Sequence, residues 1–259
     1  MSLNQHETVK EQYKTAANLN TRISIHEKYS TNKLGFGNWI FSHYDIQPDM
    51  KILELGCGTG DMWQSHIQAL DTSTQLILTD FSEGMLSSAK SFLGEHSNVL
   101  YDVVNIENIS YENGIFDRVI ANMMLYHVHD LGKALSEVSR VLSSDGIFYC
   151  ATYGENGIVP FIAGLLKEFG AKDKTNKNFT LQNGYDILKK HFNNVQKFDY
   201  EDSLEVTNLE DIIDYIYSLT NMTEIATVNR ETFRAVLSKK MVNGVLHIPK
   251  EYGMFICRK

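Results

Sequence analysis

Proline and cysteine are both scarce in this 259-residue chain, with three of each. Pro48, Pro160 and Pro249 are isolated, and there is no long linker, internal repeat or low-complexity stretch. Cys57, Cys150 and Cys257 are odd in number and far apart, which excludes a disulfide framework and any zinc-ligand spacing. Two of them sit in apolar, strand-like stretches where a buried thiol is expected. Dense basic runs are also missing; Lys189-Lys190 and Lys239-Lys240 are the longest pairs, and the formal net charge is -8. Binding to a phosphate backbone rests on clustered Lys and Arg, so nucleic acid is not expected as a partner. No segment is long and apolar enough to span a bilayer, and the opening MSLNQHETVK has no apolar signal core. The expectation is a cytoplasmic protein with no membrane attachment; its oligomeric state is left open.

The composition that is present, 43% hydrophobic and 22% charged, suits a globular protein with a sizeable core. Apolar runs of strand length occur at Ile52–Leu55, Gln75–Thr79, Val99–Val104, Asp117–Ala121 and Gly146–Ala151. Helix-like segments, Asp61–Leu70, Ser82–Leu93 and Leu131–Leu142, separate them. Strands apolar on both faces that alternate with helices imply a mostly parallel sheet covered on each side. The fold class is therefore α/β: a Rossmann-like, doubly wound sheet of about seven strands. Val195–Tyr200 and Tyr252–Cys257 supply the sixth strand and an antiparallel last one. Around this core, residues 1–45 read as N-terminal helices, over 7–30 and Asn38–Tyr44. Residues 46–153 read as the cofactor-binding core, and 154–259 as the rest of the sheet with helical cap insertions near 155–180 and 207–243. The helices expected in this last part are Ile158–Phe169, Leu181–Phe192, Leu209–Leu219 and Arg230–Met241, and both insertions could meet above the cofactor edge.

Chemistry concentrates in Lys51–Gly60, KILELGCGTG, a buried strand running into Gly56, Gly58 and Gly60. Glycine allows a sharp turn with positive φ and lets a ligand approach without meeting a Cβ. A helix starting at Asp61 would aim unpaired N–H groups into the same space. A dinucleotide fingerprint needs a third glycine at position 61, where this chain has Asp61. Glu54 precedes the loop and Asp80 closes the second strand, where a carboxylate can accept ribose hydroxyls. Three acids around one loop would repel a pyrophosphate and suit a phosphate-free ligand with an ammonium and a sulfonium. S-adenosylmethionine is such a ligand. Asp61 also suits a helix cap, and Glu54 also suits a buried, hydrogen-bonded strand position.

These residues resemble the class I S-adenosylmethionine-dependent methyltransferases, in particular the small-molecule group labelled type 11 or type 12, over roughly residues 50 to 153. LELGCGTG resembles the family's first motif and implies cofactor contacts from Glu54, Gly56, Cys57, Gly58 and Gly60. LTDFSEGML resembles the second, implying Asp80 on the ribose, Phe81 against the adenine and Met85 beside them. VNIENI, 104 to 109, matches a segment where the family acid meets the adenine amino group; here Asn105 stands in its place, and Ile106 would offer its N–H. FDRVIANMMLYHV resembles the fourth strand and its turn, implying Asn122 and Met123 near the methionine end and His127 near the acceptor. The N-terminal segment resembles a lid helix, in which Tyr13, Arg22 and His26 would close over the methionine carboxylate. The Asn/Asp-Pro-Pro-Tyr signature and the paired-glutamate loop of arginine methyltransferases are both absent, which favours a small-molecule acceptor.

Methyl transfer from a sulfonium is an in-line displacement whose leaving thioether needs no acid. Alignment and exclusion of water supply most of the acceleration, and a base is needed only for an acceptor that keeps its proton. His127 is the candidate base, and a histidine that merely lines the pocket is the alternative. His127, His129 and Asp130 do not make a metal site, since the pair spacing suits a strand rather than a loop. Phe161, Leu165, Phe169, Tyr185, Tyr215 and Tyr217 suit either an apolar acceptor wall or the core of the cap. The rival readings are a nucleotide-cofactor oxidoreductase with an atypical loop and a non-catalytic module that binds the same cofactor.

Overall fold

The computed structural model describes residues 16–219 and 228–259. The chain divides into two compact units. The larger contains 36–154, 176–200 and 252–259, and the smaller runs up to Gly35 and adds 155–175 and 201–251.

A seven-stranded sheet is ordered β3-β2-β1-β4-β5-β7-β6 among the described residues. Its strands are β1 (Lys51–Leu55), β2 (Gln75–Asp80), β3 (Val99–Val103), β4 (Phe116–Ile120), β5 (Leu142–Tyr153), β6 (Asn194–Val206) and β7 (Leu246–Arg258). β1 to β5 pair in parallel, and β7 runs antiparallel to β5 with Phe148 opposite Cys257. The Rossmann-like sheet with an antiparallel last strand is as expected.

In the larger unit, successive strand residues face opposite ways. Leu53, Ile77, Val119 and Phe148 join one core cluster, with Leu135 and Val138 of the helix Leu131–Val141. Ile52, Leu76, Leu78, Ile120 and Tyr149 join a second on the other face, with Ile40 and Trp63. Three helices of this unit come early in the chain order. α1 (Ala16–Tyr29) belongs to the smaller unit, whereas α2 (Phe36–Phe41), α3 (Glu83–Leu93) and α4 (Leu131–Val141) belong to the larger. α4 forms because apolar residues recur every three or four positions and Asp130 accepts a hydrogen bond from the Lys133 N–H at 2.9 Å.

The expected helix at Asp61–Leu70 is not there. Two three-residue turns, Asp61–Trp63 and Ile67–Ala69, replace it. Their bonds run three residues apart, as from Trp63 N–H to the Gly60 carbonyl. Trp63 is drawn fully inside by a hydrogen bond from its indole to Glu54, and a tight turn reaches that position. The last two strands are longer than their apolar stretches, because their outer residues alternate between buried and exposed.

The smaller unit has its own core, including Ile25, Ile162, Leu204, Ile213, Phe233 and Ile248. It is built from α1, α5 (Ile158–Leu165), the outer parts of β6 and β7, α7 (Leu209–Ser218) and α8 (Arg230–Ser238); α6 (Gly184–Leu188) lies in the larger unit. The side chains that suit either an acceptor wall or the core of the cap divide between the two units. Tyr215 is buried in the core of the smaller unit, Phe161, Leu165 and Tyr217 pack against that core, and Phe169 is exposed. Tyr185 is exposed and belongs to the larger unit. Arg22 donates to the Ser218 carbonyl and, at 3.3 Å, to its hydroxyl, so it closes the end of α7. Burial and the Lys250 charge lower the His26 pKa to about 4. Tyr13 lies outside the described residues. Among the described residues, no helix is long and apolar enough to cross a membrane.

Candidate functional site

The carboxyl ends of β1, β2 and β4 are adjacent, and the Gly56–Gly60 loop leaves β1 between the other two. All three glycines have positive φ: 71° at Gly56, 57° at Gly58 and 81° at Gly60. Two of them have little room beside them. A Cβ on Gly56 would lie 2.9 Å from Met124, and one on Gly60 would lie 2.8 Å from Leu93. At Gly58 a Cβ would meet nothing within 4 Å. The loop thus presses on its own fold at both ends and is open in the middle.

Asp80 closes that loop. One carboxylate oxygen accepts from the Gly58 N–H at 3.0 Å and the other from the Ser82 N–H at 2.8 Å. Each oxygen has a second lone pair left to accept. Phe81, next along, exposes 57% of its surface, and Met85 is half-buried in the first turn of α3. Asn105 and Ile106 follow β3. Ile106 is buried, and the Asn105 amide oxygen accepts from the Glu107 N–H at 2.9 Å, folding back on its own turn. This is the local turn that a short amide side chain favours. The oxygen keeps a second lone pair beside that bond.

Glu54 is 3% exposed and accepts from Trp63 Nε1 at 2.5 Å. Burial, opposed by that bond and aided by the Asp80 charge, raises its pKa to about 7. It therefore carries only part of a charge at neutral pH. Asp61 is exposed, with a carboxylate oxygen on the Thr59 hydroxyl at 2.8 Å, and it caps no helix. A three-residue turn, rather than the N-terminus of an α-helix, stands behind the loop. Burial pushes the Cys57 thiol up, so it stays protonated.

Beyond β4, Met123 has a φ of 52°, a conformation that a non-glycine residue adopts only under the constraint of its surroundings. Its N–H is held by the Ala151 carbonyl at 2.8 Å. Asn122 lies 2.6 Å through its amide nitrogen from the Tyr44 hydroxyl, and its amide oxygen is buried with no partner. His127 ends a short turn, with its ring 4.5 Å from that of Tyr126. More than a third of its surface is exposed, yet its neighbours desolvate the imidazole enough to lower its pKa. Tyr44 and Trp63, which hold Asn122 and Glu54, carried no signal in the sequence. Among the described residues, no three His, Cys, Asp or Glu are grouped to hold a metal.

A family profile described as a methyltransferase domain matches residues 53–150. The chain is 28% identical over 161 residues to a malonyl-[acyl-carrier protein] O-methyltransferase of Geobacter sulfurreducens, covering 60% of each chain. It is 32% identical over 104 residues to a ubiquinone/menaquinone biosynthesis C-methyltransferase of Hydrogenovibrio crunogenus, covering 39% of this chain and 41% of that one. The match therefore spans less than two thirds of these curated relatives. In fold it is similar to phosphoethanolamine N-methyltransferase 2 of Haemonchus contortus in complex with S-adenosyl-L-methionine. That likeness has a TM-score of 0.61 at 16% identity and covers 100% of this chain and 60% of that one.

Proposed function

We propose that this chain, a member of the class I S-adenosylmethionine-dependent methyltransferases, transfers the cofactor's methyl group to a small-molecule acceptor by in-line displacement. One observation carries this reading. The strand order β3-β2-β1-β4 sets Asn105 and Ile106, then Asp80 and Phe81, then the glycine loop, then Asn122 and Met123 in succession along one edge. An extended ligand with an adenine, a ribose and an aminoacyl arm fits that succession in that order.

The cofactor would supply a methyl group made electrophilic by its sulfonium. The chain's part is to bind, orient and exclude water. Asp80 receives the ribose hydroxyls on its remaining lone pairs, and exposed Phe81 covers the adenine. Gly58 lets the ligand approach its backbone. Cys57, held as a thiol, does not compete as a nucleophile. Alignment of this kind is worth up to about 7–11 kcal/mol. His127, neutral at pH 7 because its pKa is lowered, is able to take a proton from an acceptor that keeps one. The relatives' names span O-, C- and N-methylation, so the acceptor class proposed is a small molecule with an oxygen, carbon or nitrogen nucleophile.

Calorimetry with S-adenosylmethionine, S-adenosylhomocysteine and NAD tests the cofactor, and tighter binding of NAD would overturn the reading. Asp80→Ala should cost about 1–3 kcal/mol of S-adenosylhomocysteine affinity, the loss of charge-assisted hydrogen bonds. Turnover across a panel of acceptors then separates an enzyme from a module that only binds.

A further inference from the structure

The Asn122 amide and the Tyr44 hydroxyl are 2.6 Å apart, close to the usual O–H···O separation and short for N–H···O. With the amide nitrogen toward Tyr44, two groups lack a partner: the buried Asn122 oxygen and the Tyr44 hydroxyl hydrogen. Turning the amide by half a revolution satisfies both. Tyr44 then donates to the Asn122 oxygen, and only the NH2 end is left over. The two ends of an amide are distinguished by such bonds. Burial and the Glu54 charge hold the Tyr44 pKa well above its ordinary value, so the hydroxyl keeps the proton it donates.

The residue that carries the left-over end leaves β4 beside the glycine loop. β1 and β4 pair in parallel with Glu54 opposite Ile120, so Gly56 and Asn122 leave their strands at the same level. Met124, two residues on from Asn122, lies against Gly56. On the proposed succession along the sheet edge, this is where the aminoacyl arm of the cofactor ends. An NH2 group needs a hydrogen-bond acceptor, and that arm offers only its carboxylate oxygens, since its ammonium is a donor.

We infer that Tyr44 is a positioning residue whose hydroxyl fixes the Asn122 amide with its NH2 end toward the cofactor's aminoacyl carboxylate. This rests on the methyltransferase reading above. Tyr44 stands outside the motifs, 78 residues from the side chain it orients.

The test is calorimetry with two probes, S-adenosylhomocysteine and its decarboxylated analogue, on the 259-residue chain. Tyr44→Phe keeps the ring that packs 4.9 Å from Tyr149. It should weaken S-adenosylhomocysteine about fivefold, the worth of one hydrogen bond, and leave the analogue unchanged. Asn122→Asp keeps an oxygen for Tyr44 and replaces only the NH2 end. It should weaken S-adenosylhomocysteine by about tenfold or more, through a lost donor and a repelling charge, and leave the analogue as tight or tighter. Equal losses for both probes would mean a merely structural role and overturn the inference. So would unchanged S-adenosylhomocysteine binding in Tyr44→Phe, or unweakened binding in Asn122→Asp, which would put the oxygen end at the ligand. A wild-type chain that binds neither probe would instead overturn the cofactor reading.

Discussion

The Glu54 carboxylate and the Trp63 indole meet at 2.5 Å inside the core, joining the strand before the glycine loop to the turn after it. The bond fixes both ends of the loop from beneath, and it gives the chain a pH dependence whose sign can be worked out. The Glu54 pKa stands near 7 in the folded state against 4.5 for the free side chain. Between those values the folded state holds a proton that the unfolded state has lost, so stability falls as pH rises from about 4.5 to 7 and is level above that. Glu54→Gln keeps an acceptor for Trp63 and should remove up to about 3 kcal/mol of this slope. Urea denaturation at pH 5 and pH 8 measures it; an equal slope in both proteins would show that Glu54 does not titrate in this range.

Gly58 and Gly60 should part company when each is replaced by alanine. Both alanines would bear the cost of positive φ, about 1 kcal/mol, but only Gly60 also has Leu93 and Ala89 in the way. Gly60→Ala should therefore lose a further 1–3 kcal/mol or so of stability through overpacking. Gly58→Ala should stay within about 1–2 kcal/mol of wild type and, on the proposed cofactor site, lose cofactor affinity instead, because its Cβ would enter the open space beside the loop. Thermal melting and calorimetry with S-adenosylhomocysteine, run on both variants, separate the two effects.

The smaller unit depends on a buried ion pair. Lys250 bonds to the Asp202 carboxylate and to the Ser30 hydroxyl, and the two charged side chains are 5% and 0% exposed. Ser30 donates in turn to Asp202 at 2.6 Å. Lys250→Met would leave Asp202 without its counter-charge, and removing one partner of a buried pair costs about 3–5 kcal/mol. The Asp202 pKa is lowered in the folded state, so its contribution is present above pH 4 or so and is lost as pH falls further. Chemical denaturation should show the Lys250→Met loss at pH 7 shrinking below pH 4; a loss independent of pH would place the cost in packing alone.

Much of the larger unit was legible because its signals are local. Ile52–Leu55 and Gln75–Thr79 are apolar on both faces, and strands of that kind sit inside a sheet. The three glycines announced their own backbone geometry. What could not be read was set by contacts distant in sequence. Asp61–Leu70 has a helix-compatible composition, but Trp63 answers to Glu54 and tightens the turn. Tyr44 looked like the end of a short helix, and only the fold brings it to Asn122. At Asn105 the local turn adds a bond that the motif does not announce: its oxygen accepts from the Glu107 N–H and keeps a second lone pair.

His127 provides the sharpest test of the chemistry. Its pKa is lowered by desolvation alone, with no carboxylate to raise it. A base of that kind is neutral and ready at pH 7, and it loses activity only as pH falls below the ordinary imidazole value of about 6.5. For an acceptor that carries its proton into the reaction, His127→Gln should lower kcat by about 10²–10⁴ and abolish the acidic limb of the pH profile. S-adenosylhomocysteine affinity should not change for a residue that acts on the acceptor alone. For an acceptor already deprotonated, such as a carboxylate, the same variant should retain full turnover. Measuring single-turnover rates with one acceptor of each kind decides the matter: equal small effects on both would make His127 a lining residue and leave alignment as the whole of the catalysis.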